Sequence, residues 1–291
     1  MKKEVKTINR SSLLYKSKVE YADWCLNHVE GCSHGCRFPC YAMMLAKRFG
    51  KIKDYTDWCN PKLVKNALEL LDKEIPKYKD QINFVHLCFM TDPFMYKQKE
   101  VSDLTLKIIE RLNKDNIKCT ILTKGIYPKK LIDTEKYSKD NEYGITIVSL
   151  DPDFKKRFEP GSSPYRSRIK SLRQLHDAGL KTWVSMEPYP TPNLMKGNGI
   201  KELLEILNQI KFVDNIIFGK LNYNCESSSF PENKEYYEKC AEIVEKFCNK
   251  YNINYHIKYG TKKEDNTDTV KIFKKEVSLC SFQKPKKKLI A

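Results

Sequence analysis

Short apolar runs, rich in β-branched and aromatic residues, recur along the chain and are separated by longer amphipathic segments. Strands that are buried on both faces show such continuous apolar runs, whereas half-exposed strands alternate apolar and polar positions. We therefore predict buried strands in an α/β fold. The predicted strands are residues 22–28, 82–89, 117–123, 144–150, 181–187, 213–219 and 253–258.

Amphipathic helices are predicted between these strands, because apolar residues recur there at helical spacing. The first is expected to begin with Asn60 as its N-cap and Pro61 in its first turn. Gly179 follows the last apolar stripe and can adopt the left-handed conformation that ends a helix. The stripes run over residues 63–71, 101–112 and 169–175.

The regular alternation of strands and helices predicts a parallel sheet with right-handed crossovers, either open or closed as a barrel. In both arrangements ligands bind at the carboxyl ends of the strands. A chain of 291 residues can form such a fold as one large domain or as two domains.

The charge balance is strongly basic, with a formal net charge of +16. A basic surface can bind nucleic acid, because neutralising phosphates releases condensed counterions. The excess is spread along a lysine-rich chain, however, which is equally typical of a general composition bias. The densest run, Lys284–Lys288, is interpreted as a solvated tail.

Membrane insertion and secretion are not expected from the sequence. No apolar run approaches the roughly 20 residues that a membrane-spanning helix needs. The amino-terminal residues contain no apolar signal core, so we expect a cytoplasmic protein without a membrane partner.

The chain contains eleven cysteines. In a cytoplasmic protein this number indicates metal binding or catalysis rather than disulfides, since cytosolic thiols stay reduced. Eight of them are scattered, and we expect these to be core residues, with a second metal cluster as the alternative. They are Cys25, Cys59, Cys88, Cys119, Cys225, Cys240, Cys248 and Cys280.

The other three cysteines form a compact set in a glycine-rich polar loop after the first predicted strand. Cys32, Cys36 and Cys40 can converge on one inorganic centre. A four-iron cluster that is held by three thiolates has one iron open to a ligand. The first alternative is a structural zinc site with His34 as the fourth ligand. Simple burial of the thiols is the second, although a polar loop is a poor core.

The stretch from Asn27 to Ala42 resembles the cluster loop of radical-SAM enzymes in the spore photoproduct lyase-like branch. That pattern has an Asn, a Gly-Cys, a His-Gly-Cys and a Cys-Tyr-Ala, and the resemblance extends over roughly residues 21 to 190. Further matches occur in the family's order, each at the end of a predicted strand. They are Thr91-Asp92-Pro93 with Glu100, Thr123-Lys124, and Ser149-Leu150-Asp151 followed by Glu159-Pro160, Arg166 and Arg168.

The resemblance implies a partial (β/α)6 TIM-like barrel of the radical-SAM type, with one additional C-terminal strand at 253–258. The core barrel is expected over residues 21–260. An amino-terminal extension, residues 1–20, would precede it, and a basic extension, residues 261–291, would follow it.

The resemblance also implies two cofactors: a 4Fe-4S cluster on Cys32, Cys36 and Cys40, and S-adenosyl-L-methionine bound to the open iron through its amino and carboxylate groups. Reductive cleavage would yield a deoxyadenosyl radical that abstracts hydrogen from a substrate. The residues expected around the cofactor are Thr91, Asp92, Lys124, Ser149, Arg168, Glu187 and Tyr41.

Several of these residues have expected roles and plain structural alternatives. Lys124 would pair with the methionyl carboxylate, and Thr91 and Asp92 with the amino group. Arg168 would reach the ribose or the carboxylate, or else lie on a solvated helix face; Ser149 would bond a ribose hydroxyl. Glu187 would touch cofactor or substrate, or form a salt bridge. Tyr41 and Phe38 would pack beside the cluster.

One departure from the family pattern concerns the third cysteine. The family has two residues between the second and third cysteines, whereas this chain has three, Arg37, Phe38 and Pro39. We expect a bulge that keeps Cys40 as a ligand, with an altered site as the alternative. No other cysteine is close enough in sequence to replace it comfortably.

The expected partners follow from the same resemblance. A protein such as flavodoxin or ferredoxin would donate electrons to the cluster. Nucleic acid is the leading substrate class, since relatives repair DNA photoproducts. The alternative function is a zinc-stabilised nucleic-acid-binding protein that uses Cys32, His34, Cys36 and Cys40 without catalysis.

Overall fold

The computed structural model describes residues 5–17, 22–38, 40–195 and 197–262 of the chain. Strands and helices alternate through this part, as the apolar pattern predicts. The strands are β1 (Lys6–Ile8), β2 (Leu14–Lys16), β3 (Trp24–Leu26), β4 (Val29–Glu30), β5 (Lys62–Val64), β6 (Phe84–Leu87), β7 (Lys118–Thr123), β8 (Glu142–Thr146), β9 (Lys181–Tyr189), β10 (Asn215–Lys220) and β11 (Asn254–Ile257). The helices are α1 (Tyr41–Arg48), α2 (Tyr55–Trp58), α3 (Ala67–Tyr78), α4 (Lys99–Asn113), α5 (Pro152–Phe158), α6 (Tyr165–Asp177), α7 (Gly199–Ile210), α8 (Cys225–Ser228) and α9 (Asn233–Tyr251).

The main sheet has the strand order β11-β10-β9-β8-β7-β6-β3-β2. From β3 to β11 all neighbouring strands are parallel, and β2 pairs with β3 in the antiparallel direction. Strands β2 and β11 form opposite edges, so the sheet does not close. The fold is therefore a partial barrel with β11 as the additional C-terminal strand, and the predicted fold is confirmed.

The two faces of this sheet differ in polarity. Ile121, Tyr143 and Val184 are fully buried on the face that packs against the helices. The alternate positions face the barrel interior and include polar residues such as Thr120 and Ser185. Because successive strand residues point to opposite faces, the helices enclose an apolar core and leave a partly polar interior.

The helix that we predicted to begin at Asn60 is wrong at its start. Leu63 and Val64 belong to β5, which pairs with β1 and β4 in a separate three-stranded sheet, and α3 begins only at Ala67. The side chain of Asn60 bonds the Thr56 carbonyl instead of capping a helix. A short apolar run is compatible with both a helix and a strand, and here pairing with distant strands decides in favour of the strand.

The other predicted helices are present, and Gly179 has the expected left-handed conformation, with φ of 81°. The division of the chain into a barrel and two extensions stays a prediction. The run Lys284–Lys288 and Cys280 lie outside the described residues. Among the described residues, every helix is too short or too polar to span a membrane.

Most of the scattered cysteines are core residues, as expected. Cys225 is exposed at the start of α8 and Cys59 is half-buried, so the expectation is wrong for these two. The buried ones are Cys25, Cys88, Cys119, Cys240 and Cys248.

Candidate active site

The cysteine loop lies between β4 and α1, against the segments that follow β6, β7 and α5. Backbone hydrogen bonds fix it there: Cys32 N–H donates to Trp58 O at 2.8 Å, and Arg37 N–H donates to Phe158 O at 2.8 Å. Gly31 has a φ of 82°, and a Cβ at that position would lie 2.6 Å from Trp58 O. The loop therefore needs glycine there for close backbone approach.

The three thiols are close neighbours: Cys36 and Cys40 both contribute to raising the pKa of Cys32, and Cys40 contributes to raising that of Cys36. Burial raises the pKa of Cys36 to about 12, and the nearby Lys124 opposes that rise, its Nζ lying 3.7 Å from the sulfur. In the described ranges, no three Cys, His, Asp or Glu side chains are arranged to hold a single metal ion. Three neighbouring thiols beside a cation fit an iron–sulfur cluster, since a positive neighbour favours the thiolate form that binds iron.

His34 is fully engaged inside the protein. Its Nε2 accepts a hydrogen bond from Tyr96 N–H at 2.9 Å, so the ring proton is on Nδ1, which lies 3.3 Å from Asp92 Oδ2. The side chain is 1% exposed. Because both nitrogens have partners, His34 is not presented as the fourth ligand that the zinc interpretation requires.

Asp92 connects the segments that follow β6 and β7. It accepts hydrogen bonds from Thr123 Oγ1 at 2.6 Å, Lys124 N–H at 2.7 Å and Phe94 N–H at 2.9 Å. Burial alone would raise the pKa of Asp92, but His34 and these donors hold it below its usual value. Both carboxylate oxygens are occupied, so a contact with the methionyl amino group stays a prediction.

Thr91, the neighbour of Asp92, is half-buried. Its hydroxyl donates to Val29 O at 3.3 Å, beside the start of the cysteine loop. The predicted pair Thr91 and Asp92 therefore both lie against the cysteine loop, with Asp92 attached through His34.

Lys124, at the end of β7, forms a buried ion network that the sequence did not reveal. Its Nζ lies 2.7 Å from Glu159 Oε1, and Glu159 Oε2 lies 2.6 Å from Arg168. Burial alone would raise the pKa of Glu159, but Arg168 and Lys124 lower it to about 2. Burial opposes a charged Lys124, yet Cys36 and Glu159 together raise its pKa. Both groups are therefore charged at neutral pH.

Arg168 is completely buried, so the alternative of a solvated helix face is wrong. Its guanidinium donates to Thr146 O at 2.8 Å, Ser163 O at 2.9 Å and Ser162 Oγ at 2.5 Å in addition to Glu159. Each of the three guanidinium nitrogens therefore has at least one partner inside the protein. A contact between Arg168 and the cofactor stays a prediction.

Ser149 and Glu187 each have a partner from another element. Ser149 is fully buried, and its hydroxyl donates to Glu202 Oε1 on α7 at 2.5 Å, so its predicted contact with ribose stays untested. Glu187, near the end of β9, forms an ion pair with Lys258 at 3.1 Å. The salt-bridge alternative for Glu187 is thus present in the structure.

The two aromatic residues that we expected beside the cluster differ in position. Phe38 is 3% exposed and packs against Cys36. Tyr41 is 51% exposed, and its ring stacks on Tyr223 with the centroids 6.2 Å apart. Phe38 therefore shields one side of the cysteine loop, whereas Tyr41 lies on the surface.

Two further cysteines lie near the cysteine loop, although they are distant from it in sequence and were not expected there. Cys59 and Cys88 pack in the same apolar cluster as Cys32 and Cys40. Cys88 Sγ lies 3.3 Å from His28 Nδ1, which makes it a satisfied core thiol. Both are far from Cys32 and Cys40 along the chain or in the fold's order of elements, and the pairing of β5 with β4 and the end of β6 bring them to the loop.

The fold and the site together define a class of protein: a partial parallel barrel with a three-cysteine loop and charged groups at the strand ends. A family model described as the radical SAM superfamily matches residues 26–210. The chain belongs to the radical SAM superfamily, and it is a radical-SAM enzyme.

Individual proteins are also similar to this chain. The uncharacterized protein ORF301 of Acidianus two-tailed virus is 26% identical over 68% of this chain and 69% of its own length. The uncharacterized protein MJ0683 of Methanocaldococcus jannaschii is 26% identical over 64% and 67%, respectively.

Solved structures of spore photoproduct lyase share the fold. A double variant with bound AdoMet and dinucleoside spore photoproduct superposes with a TM-score of 0.64 at 16% identity, covering 87% of this chain and 81% of that one. A complex of the lyase with the dinucleoside alone gives the same TM-score. At this identity the likeness concerns the fold.

Proposed function

We propose that the chain binds a 4Fe-4S cluster through Cys32, Cys36 and Cys40 and uses it with S-adenosyl-L-methionine in radical chemistry. The observation that supports this most directly is the position of Lys124 at the end of β7. Its Nζ lies 3.7 Å from the Cys36 sulfur. When bound, the cluster and S-adenosyl-L-methionine supply the reductive cleavage that generates a deoxyadenosyl radical. The family membership implies both cofactors.

The chain's own residues contribute charge and orientation. Lys124 favours the thiolate of Cys36, because a nearby cation lowers the free energy of the anion. Glu159 forms an ion pair with Lys124 and is itself held by Arg168, so this network fixes the position of the Lys124 ammonium group. Asp92 and His34 connect the strand ends to the cysteine loop. Phe38 excludes water on one side of Cys36.

Anaerobic reconstitution with iron and sulfide tests the proposal. The protein should take up about four irons per chain and, after reduction, release deoxyadenosine from S-adenosyl-L-methionine. Cys40→Ala should abolish this release, whereas Cys248→Ala, at a core cysteine of α9 outside the site, should not. A colourless protein that retains one zinc would contradict the proposal.

We further propose nucleic acid as the substrate class, with a flavodoxin or ferredoxin as electron donor in the cytoplasm. The net charge of +16 supports nucleic-acid binding, and a structural relative is bound to a dinucleoside photoproduct. Retention on DNA or RNA columns should fall steeply as salt is raised. No retention at low salt would remove this substrate class.

A further inference from the structure

The segment with the extra residue, between Cys36 and Cys40, is held by a distant part of the chain. Asn224 Nδ2 donates a hydrogen bond to the carbonyl oxygen of Phe38 at 2.6 Å, across 186 residues of sequence. Asn224 also precedes α8, where its Oδ1 accepts from Ser227 N–H at 2.8 Å. One side-chain amide therefore caps a helix turn and fixes the cysteine loop.

The ring of Phe38 is held as firmly as its carbonyl. It stacks on Phe158 with the centroids 5.3 Å apart and the planes at 12°, and it also contacts Phe154. Lys124 Nζ lies 4.9 Å from the ring centroid on a cation–π contact. Leu221 belongs to the same apolar cluster as Phe38 and Phe158. Phe38, one of the three residues between Cys36 and Cys40, is thus held through both its ring and its carbonyl.

The loop between β10 and α8, residues 221–224, and α8 itself are bonded to the barrel. Leu221 N–H donates to Tyr237 OH at 3.1 Å, and this hydroxyl donates to Tyr189 O at 2.7 Å. Asn233 Nδ2 donates to Ser227 O at 2.7 Å. These bonds to β9 and α9 make the loop a fixed support, because buried hydrogen bonds are costly to break.

We propose that this loop is a clamp that sets the position of Cys40 by binding the Phe38 carbonyl through Asn224. The inference deepens the proposed function and rests on it, because Cys40 is one of the three cluster ligands assigned there. Only two peptide units separate the Phe38 carbonyl from Cys40, so a fixed carbonyl restricts where the third thiol can lie. Asn224 is a positioning residue that acts through the loop.

Asn224→Asp isolates the hydrogen bond from the helix cap. Aspartate still accepts from Ser227 N–H, since it is as good an N-cap as asparagine, but it cannot donate to the Phe38 carbonyl. Asn198→Asp is the matched control: Asn198 caps α7 through its Oδ1, bonding Ile200 N–H at 2.9 Å. Both variants add the same charge at a helix N-cap.

After reconstitution we expect folded Asn224→Asp protein to show an altered electron paramagnetic resonance spectrum of the reduced cluster. Deoxyadenosine release should fall about fivefold, the effect of losing one hydrogen bond. Asn198→Asp should match the wild type in both. A wild-type spectrum and wild-type release in folded Asn224→Asp would overturn the clamp. Should that variant not fold, Phe38→Leu, which keeps an apolar side chain but loses the ring contacts, should alter the spectrum in the same way.

A measurement on the cluster-free protein separates the clamp from the proposed function. The rate at which iodoacetamide alkylates Cys40, followed by peptide mass spectrometry, should rise about fivefold in Asn224→Asp and stay at the wild-type value in Asn198→Asp. An unchanged rate would overturn the clamp even if the cluster forms. If the wild type binds no cluster but the rate rises, the proposed function fails and the clamp holds.

Discussion

Glu159 is fully buried between two cations, and its two oxygens are divided between them: Oε1 faces Lys124 and Oε2 faces Arg168. A buried carboxylate without partners would be strongly unfavourable, whereas one that is paired and hydrogen-bonded is tolerated. The network therefore fixes the charge that Lys124 presents to Cys36. It does so from α6 and from the segment after α5, neither of which contains a cysteine ligand.

Arg168→Met should destabilise the protein by about 3–5 kcal/mol, because it leaves Glu159 buried with one cation and removes four further hydrogen bonds. Urea unfolding monitored by circular dichroism measures the change. Arg166→Met, at an exposed position two residues earlier on α6, should change stability by less than about 0.5 kcal/mol. Equal effects of the two substitutions would contradict the role assigned to the network.

At the scale of elements, the segment after the cysteine loop shows how a local pattern can favour the wrong structure. Residues 63–71 have helical apolar spacing, yet Leu63 and Val64 pair with Thr7, Ile8 and Val29 in the small sheet. The true boundary is marked by Asn66, whose side chain exchanges two hydrogen bonds with the Arg10 backbone. The small sheet thereby attaches the amino-terminal segment to the base of the cysteine loop.

Asn66→Ala should destabilise the protein by about 1–3 kcal/mol, because two hydrogen bonds to the Arg10 backbone are lost. Asn60→Ala is the control, since Asn60 makes one exposed bond to Thr56 and caps no long helix; its effect should stay within about 0.5 kcal/mol. Both are read from denaturant midpoints. A larger loss for Asn60 than for Asn66 would restore the helix start predicted from the sequence.

At the scale of the whole molecule, the two ends of the incomplete barrel differ. Its interior is packed near the amino ends of the strands, and charged groups lie at their carboxyl ends. The indole of Trp183 lies directly over Gly144 on the neighbouring strand. Both positions alternate with residues of the helix-covered core, Tyr143 and Val184. The interior at this depth is therefore packed, and charged residues such as Lys124 and Glu187 lie toward the carboxyl ends of the strands.

Gly144→Ala should destabilise the protein by about 1–3 kcal/mol, because a Cβ at that position would overlap the Trp183 ring. The same substitution in a Trp183→Phe background should cost less, since the smaller ring leaves room. A double-mutant cycle from urea unfolding measures the coupling. Additive effects would show that the two positions do not touch.

Much of the fold and part of the site could be predicted from sequence because their signals are local. The strand runs, the α4 and α6 stripes and Gly179 depend on neighbours within one element. The proximity of Cys59 to Cys40 and the partner of Ser149 depend on residues that are distant along the chain. No local pattern encodes such pairs, and a single sequence gives no measure of them.

The sequence by itself determined the parallel α/β architecture, the three-cysteine loop and the strand ends that surround it, because apolar periodicity and cysteine spacing follow from local geometry. The tertiary structure decided which charges are paired, since Arg168 looks like a surface residue until Glu159 is brought against it. It also decided what surrounds Phe38 in the longer gap before Cys40. Asn224 and Phe158 are far from Phe38 along the chain, and only folding brings them against it.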